Sequence, residues 1–287
     1  MAKIGVQAMM LKTEFEQLGA YATLKRLSDV GFHAVELSQI SMSPDSVDEI
    51  DRARVELGMD IAAVSATLEA TEGMPGDSLA SDFDKVVADC KRLDTQLVRM
   101  GMMQFSAMAS RKALLSFCKQ SDEMAARLSE HGIGLYYHNH HVEFAKYDGQ
   151  YILDIMRDSA PRLKFELDVH WIHRGGRDPV SVLKEYAGLV DLVHLKDYRI
   201  GQIPEEAFAS LAAGDLQAFM AAFEGIVQFA EIGEGNLDFP SIIEQSLASG
   251  AKYLLIEQDK QYGRDPFDCL ATSRDNLVAL GHQSLID

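Results

Sequence analysis

The sequence predicts a closed (β/α)8 barrel from three observations: eight short apolar runs, helical periodicity between them, and glycines placed where a helix should hand over to the next strand. The runs cover residues 4–10, 34–37, 61–64, 97–100, 134–137, 163–167, 189–195 and 253–256. Short apolar runs bounded by turn signals read as strands buried on both faces, and strands alternating with helices imply a parallel sheet. Eight is the strand count at which such a sheet closes on itself. At 287 residues, 47% of them hydrophobic, the chain can build one barrel of about 250 residues with additions. Residues 1–287 are therefore read as one domain.

The connecting elements follow in order. Gly31 and Gly58 sit just ahead of the second and third strands, and Gly132 and Gly250 just ahead of the fifth and eighth, where a left-handed helix terminator is expected. Ser46 with Glu49 has the spacing of a capping box. Asp178-Pro179 and Asp238-Phe239-Pro240 each put a cap residue ahead of a proline. Leu114, Leu115 and Cys118, then Ile242, Ile243 and Leu247, recur at helical spacing and read as core. One stretch breaks the rhythm. After the seventh strand, residues 199–228 form an Ala-rich, helix-compatible insertion, expected on the loop face as a lid, an oligomer contact or a plain helical excursion.

Composition narrows the function. A net charge of −17 disfavours a polyphosphate partner, so no nucleic acid is expected. Cys90, Cys118 and Cys269 have no paired spacing and read as reduced core thiols. No segment has the roughly 20 apolar residues of a membrane span, and the first residues do not read as a signal peptide, so a cytoplasmic protein is expected. A small sugar, a keto-sugar or a cation suits such a chain, with self-association as a homo-oligomer left open.

Four segments carry the chemistry, each at the end of an apolar run: His138-Asn139-His140-His141-Val142-Glu143, Asp168-Val169-His170, His194-Leu195-Lys196-Asp197 and Glu257-Gln258-Asp259. Metal-binding and proton-transferring side chains are costly beside a core. A parallel barrel delivers the C-terminal ends of all its strands to one face, so the four segments converge there. Glu143, Asp168, His194 and Glu257 are an oxygen-rich set that suits Mn²⁺ or Mg²⁺, with Co²⁺ or Zn²⁺ as alternatives. An ion chelating two vicinal sugar oxygens would polarise the carbonyl and stabilise the enediolate formed when the neighbouring carbon loses its proton. Glu257 and Glu143 are the candidate bases. Returning the proton to another carbon isomerises the sugar, and returning it to the other face epimerises it. Expelling a β-oxygen dehydrates it, which calls for a general acid such as His138 or His140.

The segments His138-Asn-His-His-Val-Glu-Phe144, Asp168-Val-His-Trp171 with Gly175-Gly176, Val193-His-Leu-Lys-Asp-Tyr198, Gly233-Glu-Gly-Asn-Leu-Asp238 and Ile256-Glu-Gln-Asp259 together resemble the xylose-isomerase-like TIM-barrel superfamily of sugar isomerases, epimerases and dehydratases, which includes endonuclease IV. The resemblance spans nearly the whole chain. It implies a divalent metal held by Asp168, His194 and Glu257. For the first ligand, many relatives carry Glu where this chain has His138; Glu143 is the preferred candidate and His138 the alternative. The resemblance also suggests substrate contacts by Glu36, His170, Trp171 and Lys196.

Each residue has a plainer reading. Glu36 could cap a helix, Trp171 could pack beneath the metal, and Lys196 could pair with Asp197 or Glu231. His141 and His173 read as hydrogen-bonding side chains, and Gly233-Glu-Gly235 as a turn rather than a dinucleotide fingerprint. The resulting expectation is a metal-dependent sugar isomerase or epimerase. A dehydratase or β-eliminating lyase on a keto-sugar, inosose or 3-keto-glycoside is the alternative, and a non-catalytic sugar-binding barrel the third reading.

Overall fold

The computed structural model describes residues 2–70 and 76–286. Eight parallel strands close into a barrel: β1 (Lys3–Gln7), β2 (Ala34–Leu37), β3 (Asp60–Ser65), β4 (Leu97–Met100), β5 (Gly134–His138), β6 (Lys164–Asp168), β7 (Val190–Leu195) and β8 (Tyr253–Ile256). They neighbour one another in chain order, and β8 pairs with β1 through Lys3 to Val6 against Tyr253 to Ile256. Helices surround the barrel. Their apolar stripes, including Leu114 and Cys118 on Arg111–Ser129 and Ile242 and Ile243 on Phe239–Ala248, pack against the outward faces of the strands as one continuous core.

Inside the barrel the side chains change character with height. Successive residues of a strand face opposite sides, so inward positions recur every second residue. Near the N-terminal ends, Leu97, Tyr136, Leu192 and Leu255 form a small apolar cluster of their own. Two residues further along, Arg99, His138, His194 and Glu257 replace them, and all four are buried. Glu166 and Asp168 are likewise two apart on β6, as His194 and Lys196 are at the end of β7. The lumen therefore turns from apolar to charged toward the C-terminal face. A cavity of about 390 Å³ at the other end, lined by Tyr136, Asp191, Lys164 and Lys252, is separate from these charges.

Local signals explain most boundaries. Gly31 and Gly58 end their helices with left-handed backbones. Asp178 and Asp238 cap their helices by accepting from the backbone N–H groups of Ser181 and Ser241. Two expectations are corrected. The helix Pro44–Leu57 is capped by Ser43, which accepts from Ser46 N–H, and not by Ser46; Pro44 at the first helical position sets the start three residues earlier. The first apolar run is strand only to Gln7, whose side chain caps a 3-10 turn at Ala8–Leu11.

Residues 199–228 hold more than helices. Asp197–Ile200 and Val227–Ala230 pair antiparallel, and this ribbon carries the short helices Glu205–Ala212 and Leu216–Glu224. Phe208, Leu216 and Phe223 on these helices stay exposed. The root of the ribbon reaches the barrel mouth, where Phe229 lies 5.1 Å from the ring of His170. Among the described residues no helix is long and apolar enough to cross a membrane.

Candidate active site

The structure gathers His138, Asp168, His194 and Glu257 at the C-terminal ends of β5 to β8, with ligand atoms all within 4.8 Å of one another and all four residues buried. Strand register accounts for this: Asp168 is level with His194 on the neighbouring strand, and Glu257 follows β8 directly, its N–H donating to Leu195 O at 3.0 Å. His138 Nδ1 lies 3.3 Å from the carbonyl of Gly101, which leaves Nε2 facing inward. That Nε2 is 3.5 Å from Asp168 Oδ2, and neither atom has a hydrogen-bond partner. Buried polar atoms without partners are rare and need a reason. A cation held between them, with His194 and Glu257 as further ligands, would supply one.

Glu143 does not join this group, which corrects the preferred first ligand. It lies in a 3-10 turn, Val142–Phe144, beyond the end of β5. Its Oε1 accepts from Tyr137 Oη at 2.6 Å and its Oε2 from His140 N–H at 2.8 Å. Glu143 thus braces the segment that carries His138 and His140. The alternative ligand, His138, occupies the place beside Asp168.

A second layer of charge lies directly beneath, and sequence reasoning missed most of it. Arg99 Nε is 2.7 Å from Glu166 Oε2 and 3.2 Å from Glu36 Oε1, and its Nη1 donates to Ser38 Oγ at 2.8 Å. Glu36 and Glu166 in turn flank His194 Nε2, each at 3.1 Å, while His194 Nδ1 is 2.8 Å from Glu257 Oε2. The outer face of the imidazole is held by carboxylates that fix the ring, as ligating histidines generally require. Glu36 therefore neither caps a helix nor faces open space. Arg99, in the middle of an apolar strand, was the available signal.

Lys196 also departs from expectation. Its Nζ contacts Glu257 at 2.9 Å and Asp259 at 2.8 Å, rather than Asp197 or Glu231. Strand alternation turns Asp197 the other way, where it accepts from Gly233 N–H and Gly235 N–H at 3.1 and 3.0 Å. Glu231 pairs with Arg264 at 2.6 Å. Lys196 Nζ lies 4.9 Å from the ring of Trp171, which is also flanked by His140, His141 and His170 at 5.5, 5.1 and 4.8 Å. Trp171 Nε1, His140 Nδ1 and both nitrogens of His170 are buried without partners. His173 stands outside this set, hydrogen-bonded to Tyr198 Oη at 2.9 Å.

Electrostatics sort the groups by charge. Burial opposes a charge on His194, but Glu166, Glu36 and Glu257 outweigh it and hold its pKa well above the usual value, so a cation held at Nδ1 would have to displace the proton there. Burial would also raise Glu257, yet Lys196 and His194 keep it well below the carboxylate range, so it stays ionised. Burial and the neighbouring Glu166 push Glu36 up to about 8, and Glu166 is held low, so the pair shares one proton near neutrality. Desolvation lowers His138 well below its ordinary value, His140 to about 2 and His170 to about 4, leaving those rings uncharged at neutral pH.

The fold and this cluster define a class: a (β/α)8 barrel whose C-terminal mouth gathers two histidines and two carboxylates that could hold a cation. Residues 24–274 match the xylose isomerase-like TIM barrel family, and the chain belongs to that family. The rhizopine catabolism protein MocC of Rhizobium meliloti is 28% identical over 170 residues, 59% of this chain; the match spans about half of that protein, 48% of its length. A sugar phosphate isomerase/epimerase from Parabacteroides distasonis superposes with a TM-score of 0.70 at 17% identity, covering 100% of this chain and 96% of that one. The probable 3-DHS dehydratase from Bacillus anthracis gives 0.65 at 14% identity, covering 97% and 99%. At such identities the solved structures share the fold.

Proposed function

We propose that the protein is a divalent-metal-dependent sugar isomerase or epimerase. The observation that carries this reading is the facing pair of atoms without hydrogen-bond partners, His138 Nε2 and Asp168 Oδ2, 3.5 Å apart beside His194 and Glu257, with Lys196 Nζ 3.5 Å from Asp168 Oδ2. A divalent ion held there would polarise a substrate carbonyl and offset the charge left when the adjacent carbon loses its proton. With His138 in place of Glu143 the donor set has two imidazoles and two carboxylates, which shifts the preference from Mg²⁺ toward Mn²⁺, Co²⁺ or Zn²⁺.

Glu257 is the proton acceptor in this proposal. It stays ionised, and Lys196 and His194 orient its Oε2. Lys196, steadied by Asp259, donates to a substrate oxygen over the face of Trp171. His140, whose Nδ1 has no partner, stands across the indole and would exchange a hydrogen bond with a substrate hydroxyl. Dehydration is the second reading, favoured by the partnerless nitrogens of His140 and His170. It needs a protonated imidazole to release the departing oxygen, and burial keeps both rings uncharged near neutrality, so it ranks behind.

Incubation of Mn²⁺-loaded protein in D2O with a panel of ketoses and keto-cyclitols tests the proposal. Deuterium entering a sugar of unchanged formula supports isomerisation or epimerisation, whereas loss of water supports the dehydratase. Glu257→Gln should reduce exchange at least a hundredfold while the circular dichroism spectrum stays native. Near-normal exchange in that variant would remove Glu257 as the base.

A further inference from the structure

We propose that residues 200–227 form the contact surface for a second copy of this chain, the two copies meeting as an isologous pair through their helical hairpins. Three observations carry this, none of them tied to the reaction at the mouth: where the exposed apolar side chains lie, how the ribbon beneath them is pinned, and which charges surround them.

Of the thirteen large apolar side chains exposed among the described residues, seven fall between Ile200 and Val227. Phe208 and Leu211 lie one turn apart on Glu205–Ala212, and Leu216, Met220 and Phe223 run as a stripe at i, i+4 and i+7 along Leu216–Glu224. Ile200 and Val227 face each other across the ribbon that carries these helices. The two helices touch through Phe208 and Phe219, ring centroids 5.7 Å apart, yet the second helix buries none of its residues and the first only Ala207. Helices of 8 and 9 residues do not persist in water on propensity alone, so they need an apolar cover. Large apolar side chains offer on the order of 150–200 Å² each, so seven at about half exposure present roughly 600 Å² per copy. With exposed alanines such as Ala212 and Ala221 beside them, a matched pair of hairpins approaches the roughly 800 Å² per partner of a specific interface.

The barrel's own mouth is not the occupant, because the ribbon is pinned on both strands. Asp197 accepts from Gly233 N–H and Gly235 N–H, Asn236 accepts from Ile200 N–H at 3.1 Å and donates its own N–H to Tyr198 O at 2.8 Å, and Tyr262 Oη accepts from Phe229 N–H at 3.0 Å. Gly201 N–H donates to Ile226 O at 2.7 Å and ties the base of the hairpin. Swinging the hairpin over the mouth would break these bonds. A lipid surface fits poorly as well: residues 200–227 hold Glu205, Glu206, Asp215 and Glu224 and no lysine or arginine, whereas helices that lie on membranes carry cations beside their apolar stripe. A second copy needs no such cations. A twofold axis sets the same stripe against itself, and an apolar surface is its own complement. The four acidic side chains stand at the helix ends, Glu205 and Glu206 in the first turn of one, Asp215 capping the other and Glu224 closing it. They fall on the rim of the contact, where water and salt screen them.

Sedimentation equilibrium of the intact protein tests this. A dimer is expected, dissociating at about 10 µM or below. Met220→Glu and Phe223→Glu, both at exposed positions, should each weaken it roughly a hundredfold with circular dichroism unchanged, whereas Leu18→Glu, exposed on a different helix, should leave it intact. Raising NaCl from about 50 to about 500 mM should tighten the dimer by screening the acidic rim. A chain that stays monomeric at about 100 µM overturns the proposal, whether the hairpin then serves a basic partner or none. So does a dimer that survives both substitutions or loosens with salt. Should the variants fail to fold, hydrogen exchange on the wild type decides: the amides of residues 216–224 should lose protection at least tenfold on dilution through the dissociation constant, and protection independent of concentration overturns the proposal.

Discussion

His138 and Glu143 lie five residues apart, yet only one of them faces the cluster, and the backbone between them decides which. His138 is the last residue of β5, so the strand's alternation aims it into the lumen. Glu143 follows the turn, where its carboxylate folds back onto Tyr137 and the N–H of His140. His138→Ala should therefore weaken Mn²⁺ binding at least tenfold by calorimetry, whereas Glu143→Gln should change it less than threefold. The reverse ranking would restore Glu143 as the ligand. The family's pattern of a Glu as first ligand pointed to Glu143, and nothing in residue type revealed that its oxygens are already used. Asp168, His194 and Glu257 were legible because each ends an apolar run. Glu166 was hidden inside one, and only counting back two from Asp168 would have placed it on the same face.

At the scale of elements, the ribbon formed by Asp197–Ile200 and Val227–Ala230 is fastened by one side chain. Asp197 accepts from the N–H groups of Gly233 and Gly235 and, at 3.3 Å, from that of Leu237. A Cβ at Gly235 would stand 2.2 Å from Asp197 Oδ1 and 2.3 Å from Tyr198 O, too close for either to remain in place. Gly235→Ala is expected to release the root of the ribbon, raising amide hydrogen exchange over residues 227–230 while β1 to β8 stay protected. Unchanged exchange there would show that Asp197 does not hold it. The sequence marked the excursion by its alanines and marked Gly233-Glu-Gly235 as a turn. The two flanking strands were not legible, because their pairing depends on a carboxylate that sequence reasoning had offered to Lys196.

For the molecule as a whole, the barrel's alternation of strand and helix was readable throughout, since eight apolar runs coincide with eight strands. Polar content at the bottom of the lumen was not. There Asp191 accepts from Tyr136 Oη and contacts Lys164 and Lys252 at 3.0 and 3.2 Å. Partial burial would raise its pKa, but these three partners bring it below the ordinary value. A carboxyl group whose folded pKa is depressed contributes stability that is present above the unfolded value, near 3.9, and is lost as pH falls through the folded one. Asp191→Asn should thus cost about 1–3 kcal/mol at neutral pH, by the loss of buried hydrogen bonds to a charged acceptor. In urea unfolding, the gap between wild type and variant should close as pH falls below about 4. A gap that widens in acid would contradict the assignment.

Arg99 has a bearing on the order of events during maturation. Because its guanidinium and the ammonium of Lys196 already act as counter-ions inside the barrel, the acidic interior does not have to wait for an imported metal before it can collapse. The chain should fold first and load afterwards. Treated with a chelator, it should keep a cooperative thermal transition and its native circular dichroism, while an Arg99→Met form, stripped of that inner charge, should lose the transition or melt far earlier.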